Sequence, residues 1–460
     1  MAKIAIKSTA EKIGLLEKLG FGAFAMALDV CTNFVSTFLL FFLTDVLGIT
    51  PGLAGSASLI GTVWDGVNDP LVGFISTNRR FKNGEVARPY ALWFAVPTAV
   101  MFVLTFTVMD IPAHFVFAYF ITVYLLYDLC RTFNMIPSGS MTTLAARGVN
   151  ERISLNVFVS GGSGIGVILA TLGCWPLINT LSGVSEDGRL INPRYGFFWG
   201  AVIVGCILIF GSLLHYFTTR ERILPEAGSE QKVSLKEAIV LLFGCREWVE
   251  NTLFALFYNF SIAFVTSTIV YYATYVLGDS GAVTLIMAAY ILATMVALPF
   301  VSMIHKKIGR KKTMILSAAL LMLSKVYFVF SPASMAAAVV NGLLVGIGVA
   351  FSINAINTNR AEIADIIGWR KGKRIENMIS AINSTVSKVG LALCSFAIGM
   401  TLEINGYSSE LAVQSQGTIS AIEAFMGIVP MLTAALMLVV ALRVRIEDSV
   451  RIMNREKEGK

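Results

Sequence analysis

Long apolar stretches, each about one bilayer crossing in length and each closed by a short polar connection, recur from one end of this chain to the other. A membrane-spanning helix needs about 20 predominantly apolar residues. Twelve such segments can be laid out, at 20–44, 52–76, 89–109, 113–135, 153–181 and 196–218, then at 248–277, 282–304, 313–330, 333–358, 376–402 and 419–442. Charged residues are only 14% of the 460, and apolar ones are 56%, whereas a soluble domain carries about a quarter charged residues. That balance excludes a disordered chain and a soluble globular enzyme. The chain reads as an all-α, multi-pass protein whose solvent is a lipid bilayer.

The loops set its orientation. Of the 36 lysines and arginines, 31 fall on one side of this layout, in 1–19, 78–89, around Arg147 and Arg152, in 220–246, 305–312 and 370–374, and in the C-terminal tail. Two, Arg189 and Arg194, fall on the other side, and Arg131, Lys325 and Lys388 lie inside spans. The positive-inside rule then places both termini in the cytoplasm. The longest cytoplasmic connection, 219–247, divides the chain into six spans at 1–218 and six at 248–460, the outline of a two-bundle transporter. The N-terminus has lysines spread through it and no uninterrupted apolar core, so it is not read as a cleavable signal peptide. Basic residues in short clusters between apolar blocks do not suggest nucleic acid. Six cysteines without a CxxC pair and three scattered histidines imply neither a disulfide framework nor a histidine metal site.

Charges inside the spans are the informative exceptions. Each costs at least about 2.5–3.5 kcal/mol on insertion scales, so one that persists has a partner or a task. Asp65 and Asp69, in VWDGVNDPLVG, stand four apart and project from one helix face. Two adjacent carboxylates in low dielectric repel, so one holds a proton or a cation sits between them. Pro70 leaves the carbonyl of Gly66 without its helical donor and available as a further oxygen. The set suits Na⁺, or equally a shared proton. Neutralisation by Lys388 for packing alone is the plainer alternative, and buried ion pairs seldom add net stability. Asp128 and Arg131, three apart in YDLCRTFNMIP, either pair with each other or leave Arg131 to offer a fork to an anionic substrate. Asp29, with Asn33 one turn further on, can accept from and donate to vicinal hydroxyls. Lys325, five residues from the outer end of its segment, is expected to snorkel to the interface.

At this point a family resemblance becomes specific. TDVLGITPGLAGSASLIGTVWDGVNDPLVG resembles the end of helix I and helix II of the glycoside–pentoside–hexuronide:cation symporters, the melibiose-permease-like branch of the major facilitator superfamily. The resemblance continues through Arg88, Pro89 and Tyr90, MIPSGS at 135–140, NERISLN at 150–156, YN at 258–259, GRKK at 309–312, and AEIADII at 361–367 ahead of Lys388. It implies two six-helix bundles working by alternating access, with substrate coupled to Na⁺, Li⁺ or H⁺. It also implies Asp65, Asp69 and Thr132 as the cation site, Asp29 as the ligand of sugar hydroxyls, and Lys388 as the link between the two sites. Three positions depart from melibiose permease: Met135, Gly139 and Ser160 stand where that protein has an aspartate, a tryptophan and an arginine contacting the galactosyl group. These departures speak against a galactoside. Arg131 replaces a tyrosine and supplies a positive charge.

The expectation is therefore a plasma-membrane symporter, not an enzyme, importing a sugar or sugar derivative with Na⁺ or H⁺. Asp29, Asn33, Asp128 and Arg131 would hold substrate; there is no cofactor beyond the coupling ion, and the carrier would act as a monomer. The same fold carrying a lysolipid or another organic anion is the alternative. A non-transporting receptor or a membrane enzyme is the third reading; no nucleophile–base pair, ligand cluster or appended soluble domain supports it.

Overall fold

The computed structural model describes residues 13–81, 83–146, 149–185, 190–222, 240–371, 376–411 and 413–457. Arg147, Arg189, most of the middle loop and parts of the basic clusters at 1–12 and 372–375 lie outside the described residues. The first half comprises α1 (Leu15–Phe41), α2 (Pro51–Asn78), α3 (Arg88–Trp93), α4 (Ala95–Thr105), α5 (Ala113–Ala145), α6 (Val149–Ile168), α7 (Cys174–Ser182) and α8 (Pro193–Thr218). The second comprises α9 (Arg246–Tyr271), α10 (Ala282–Ile308), α11 (Arg310–Phe330), α12 (Met335–Lys371), α13 (Glu376–Ile404), α14 (Gln416–Met426), α15 (Ile428–Arg443) and α16 (Ile446–Lys457). Among the described residues the only β pairing is one isolated bridge, Val184 to Leu190.

Ten stretches are long and apolar enough to cross a membrane. The two remaining expected spans differ from them for visible reasons. Helix α2 has the length, 28 residues, but is diluted by glycine, serine and its aspartates. The segment expected at 89–109 is broken at Phe94 into α3 and α4. Pro97 explains that break, because its ring cannot donate to the carbonyl four residues back and crowds it. The Asn134 side chain of α5 braces the joint, donating from Nδ2 to the Phe94 carbonyl at 3.2 Å and to Thr98 Oγ1 at 2.8 Å.

The same physics corrects the expectation for Lys325. It does not snorkel: it is 1% exposed, and Nζ donates to the Met426 carbonyl at 3.1 Å. Pro430 leaves that carbonyl without its helical N–H, and the chain breaks there between α14 and α15 at Gly427. The lysine replaces the missing donor, with its ammonium 5.7 Å from the Phe328 ring centroid.

By internal contacts the chain forms two compact units. One gathers the described residues of Met1–Val35, Val63–Ser182 and Asn192–Ser229, the other those of Ser36–Thr62, Gly183–Ile191 and Glu230–Lys460. In the first, α1 and α6 cross without side chains between them: a Cβ on Gly162 would strike the Gly22 carbonyl, and one on Gly166 would lie 2.5 Å from the Met26 carbonyl. The Arg88–Pro89–Tyr90 element ties α3 to α8. Glu221 accepts from the backbone N–H groups of Val86, Ala87 and Arg88, and Arg88 Nη1 donates to the carbonyls of Thr219 (2.7 Å) and Tyr216 (3.2 Å).

The second unit contains a short internal repeat. FLTDVLG at 42–48 and YATYVLG at 272–278 both form a π-helical turn, and each ends in a left-handed glycine, Gly48 at φ 68° and Gly278 at φ 69°. The equivalent residues Asp45 and Tyr275 are hydrogen-bonded to each other. Tyr407 donates to both Asp45 oxygens at 2.7 Å, and Thr44 Oγ1 donates to Oδ2 at 2.6 Å. Burial, then the neighbouring Asp45 carboxylate, pushes the Tyr407 phenol well above its usual range, so it remains a donor.

The α1–α6 crossing is tested by substitution. Gly166→Val should destabilise the purified protein by about 1–3 kcal/mol through overpacking, read as a lower thermal unfolding midpoint in detergent. Gly164→Val, where nothing lies within 4 Å of the added Cβ, should leave the midpoint within a degree or so of wild type.

Candidate functional site

Helix α2 continues through Pro70 and carries Asp65, Asn68 and Asp69 at spacings of three and four, on one face. Helix α5 presents Asp128, Arg131 and Thr132 at the same spacings. The two triplets meet in the first unit. Asn68 Nδ2 donates to Thr132 Oγ1 at 3.1 Å and to Asp128 Oδ2 at 3.2 Å. Thr132 Oγ1 donates to Asp69 Oδ1 at 3.4 Å, and Arg131 Nη2 donates to Asp128 Oδ1 at 2.6 Å. Asp65 lies one helical turn before Asp69. The contact is dry, with Thr132 0% and Asn68 2% exposed.

Asn68 is the residue that sequence reasoning missed. A carboxylate can only accept hydrogen bonds, so Asp128 fixes which end of the amide is nitrogen and aims Oδ1 elsewhere. Oδ1 is buried without a hydrogen-bond partner, a condition that costs about 1–3 kcal/mol. The signal was present in the sequence: Asn68 stands three residues after Asp65 and beside Asp69, on the face already assigned to the carboxylates. Asn68 Oδ1, Thr132 Oγ1 and the aspartate oxygens make a mixed neutral and anionic oxygen set of the kind hard cations take. Among the described residues no group of three or more His, Cys, Asp or Glu side chains could hold a metal ion.

Beside it opens a cavity of about 170 Å³ whose polar lining is Asp29, Thr32, Arg131, Ser138, Ser163 and His215. Ser163 hydrogen-bonds the Asp29 carboxylate, brought there by the close crossing of α1 and α6. The structure thus places Asp29 and Arg131 on one wall-lined space. Asp128 holds Arg131 from behind. Asn33 is not among the lining residues; its Nδ2 donates to the Asp29 backbone carbonyl at 2.8 Å. Lys388 belongs to the second unit, half-buried on α13, where the adjacent Ser387 accepts from Asn259 at 2.9 Å.

An all-helical chain with many bilayer-length helices, a buried polar cluster and an adjoining small cavity has the outline of a multi-pass membrane protein. Comparison narrows this. The family model described as MFS/sugar transport protein matches residues 20–448. The isoprimeverose transporter of Lactiplantibacillus pentosus is 25% identical over 409 residues, covering 88% of this chain and 84% of that protein. The putative glycoside/cation symporter YagG of Escherichia coli strain K12 is 24% identical, covering 95% and 93%. Among solved structures, a bacterial homologue of the human lysosomal transporter Spinster superposes with a TM-score of 0.69 at 14% identity, covering 95% of this chain and 97% of the other, which shows the major facilitator fold. The chain belongs to the glycoside–pentoside–hexuronide:cation symporter family of the major facilitator superfamily, and it is a multi-pass protein of the cell membrane.

The buried pair on α5 has an energetic signature. Asp128→Leu alone should destabilise the protein by about 3–5 kcal/mol, because the guanidinium is left without its counter-charge. Asp128→Leu with Arg131→Met should recover most of that loss. Thermal or denaturant unfolding of the detergent-purified variants reads both outcomes.

Proposed function

We propose that this protein is a secondary active symporter that imports a sugar or sugar derivative (a glycoside, pentoside or hexuronide), coupled to Na⁺ or H⁺ by alternating access. The observation that carries the reading is the buried, hydrogen-bond-deficient Asn68 oxygen set among Thr132 and the α2 aspartates, next to a cavity lined by Asp29. In this reading the cation binds Asp65, Asp69 and Thr132 with Asn68 Oδ1. It offsets the repulsion between the carboxylates and lowers the cost of keeping them in hydrocarbon.

Substrate hydroxyls then bind Asp29 and the hydroxyl-bearing wall, with Arg131 as a fixed donor. Lys388 has the coupling role that the family resemblance implies for it. Coupling follows if the empty and doubly loaded carriers change conformation readily and the singly loaded ones do not. The names of the relatives, an isoprimeverose transporter and a glycoside/cation symporter, support sugar as cargo.

Lysolipid as cargo is the less favoured reading. A cavity of about 170 Å³ is below the roughly 300–1,000 Å³ of pockets for drug-sized ligands, and it accommodates a sugar ring better than an acyl chain. Arg131 already holds Asp128 as its counter-ion, which disfavours an anionic cargo outside the sugar class and, within that class, ranks a uronate below a neutral glycoside or pentoside.

Uptake into proteoliposomes of labelled glycosides, pentoses and uronates, driven in turn by an imposed Na⁺ or H⁺ gradient, tests the proposal. Ion-dependent accumulation of one sugar is expected. Asp29→Asn should abolish sugar binding while leaving cation binding nearly unchanged. Unaltered sugar affinity in that variant removes Asp29 from the site, and no accumulation of any sugar under either gradient removes sugar as the cargo.

A further inference from the structure

The two halves of the proposed site are joined by an unbroken line of side chains. Asp69 accepts from Thr132, Thr132 accepts from Asn68, Asn68 also donates to Asp128, and Asp128 holds Arg131, which lines the cavity. Every link is a side-chain hydrogen bond, and Asn68, Thr132 and Asp128 are all buried. Water therefore does not compete for these bonds, and each partner's orientation constrains the next. The chain runs between α2 and α5 and involves no residue of the second unit.

We infer that the Asp128–Arg131 pair is a positioning element that reports cation occupancy to the substrate cavity, with Asn68 as its lever. The inference rests on the ion site proposed above. The Asn68 amide is planar, so its two ends turn together. A cation drawn to Oδ1 fixes the plane and so holds Nδ2 on Asp128 Oδ2. With that oxygen engaged, the carboxylate keeps Oδ1 on Arg131 Nη2, and the guanidinium stays on the cavity wall in one orientation. Without the cation the amide is held from its Nδ2 end alone, by Asp128 and Thr132, and the carboxylate and guanidinium keep their common geometry less firmly. The cation thereby prepares the cavity for substrate before substrate arrives. Linkage is reciprocal, so a pinned Arg131 must tighten the cation site by the same factor that the cation sharpens the cavity.

This reciprocity permits a test that needs no identified substrate. Removing a positive charge near a cation site should, by Coulomb attraction alone, tighten cation binding. The relay requires the opposite sign. Detergent-purified full-length wild type, Arg131→Gln and Arg131→Lys are titrated with Na⁺ and Li⁺ by calorimetry, and proton release is followed in weakly buffered solution. Arg131→Lys keeps the charge and loses the rigid fork, so any change it causes is geometric. It also provides a reading if Arg131→Gln does not fold.

Both variants should bind the cation about fivefold or more weakly than wild type, the lower end of ordinary coupling factors. Wild-type or tighter affinity in Arg131→Lys overturns the relay while leaving the ion site standing. A wild type that binds neither Na⁺ nor Li⁺ and exchanges no proton overturns the ion site and the relay together. A lowered unfolding midpoint with unchanged cation affinity marks Arg131 as structural only, and that too overturns the relay.

Discussion

Hydrocarbon offers a buried polar group no water to fall back on, and the internal architecture of this protein follows from that. Each carboxylate placed in a span needs a proton, a cation or a donor. Asp69 finds its donor in Thr132 of a facing triplet on α5, spaced identically to Asp65, Asn68 and Asp69 so that both sets of side chains project into the same interface. Four carboxylates (Asp29, Asp65, Asp69 and Asp128) lie within the spans of the first unit, and Arg131 is paired with Asp128. The buried Asn68 Oδ1 in the same contact has no hydrogen-bond partner, which is the observation on which the proposed cation site rests.

The same requirement extends to the backbone. Each proline within a span removes a donor, and at two helix breaks a side chain reaches the backbone beside the proline. Lys325 takes the carbonyl that Pro430 strands, and Asn134 braces the joint made by Pro97. The result at α11 is a fully buried ammonium used as a hydrogen-bond donor, with its charge softened by an aromatic face. The bilayer supplies no hydrophobic drive for one helix to seek another, so close approach depends on small residues. Gly162 and Gly166 let α6 lie against α1, and that contact sets Ser163 beside Asp29. Cavity geometry and helix packing are therefore one feature in this region.

The repeated turn at 42–48 and 272–278 puts one backbone geometry to two different uses. Backbone geometry is kept in both copies, down to the left-handed glycine that only a residue without Cβ adopts readily. At the equivalent position one copy has Asp45 and the other Tyr275, so that what would be a like pair becomes a donor and an acceptor. Tyr407 and Thr44 complete a cluster of hydroxyls around one carboxylate. Its bonds are short and half-buried, and they knit the ends of α1 and α9 to the segment after α13.

Much of this was legible in the sequence because the relevant physics is local. Twenty apolar residues make a span whatever surrounds them, basic loops report sidedness, and Asp65 and Asp69 share a face because a helix turns every 3.6 residues. Asp29 and Arg131 could be singled out because a charge in hydrocarbon is costly wherever it sits. Tertiary structure decided which of those charges are answered, and by what, because that depends on residues distant in sequence coming within about 3 Å. Lys325 could not be read correctly from its distance to a helix end, since its partner is a carbonyl freed by a proline about a hundred residues later. Asn68 is unremarked as an isolated amide; it matters only once Thr132 and Asp128 occupy one of its ends and leave the other bare. Composition and periodicity determined that this chain would be a helical membrane protein with acids inside its spans. The packing of α2 against α5 decided that those acids form a connected site, because hydrogen bonds are directional and only the assembled helices supply the directions.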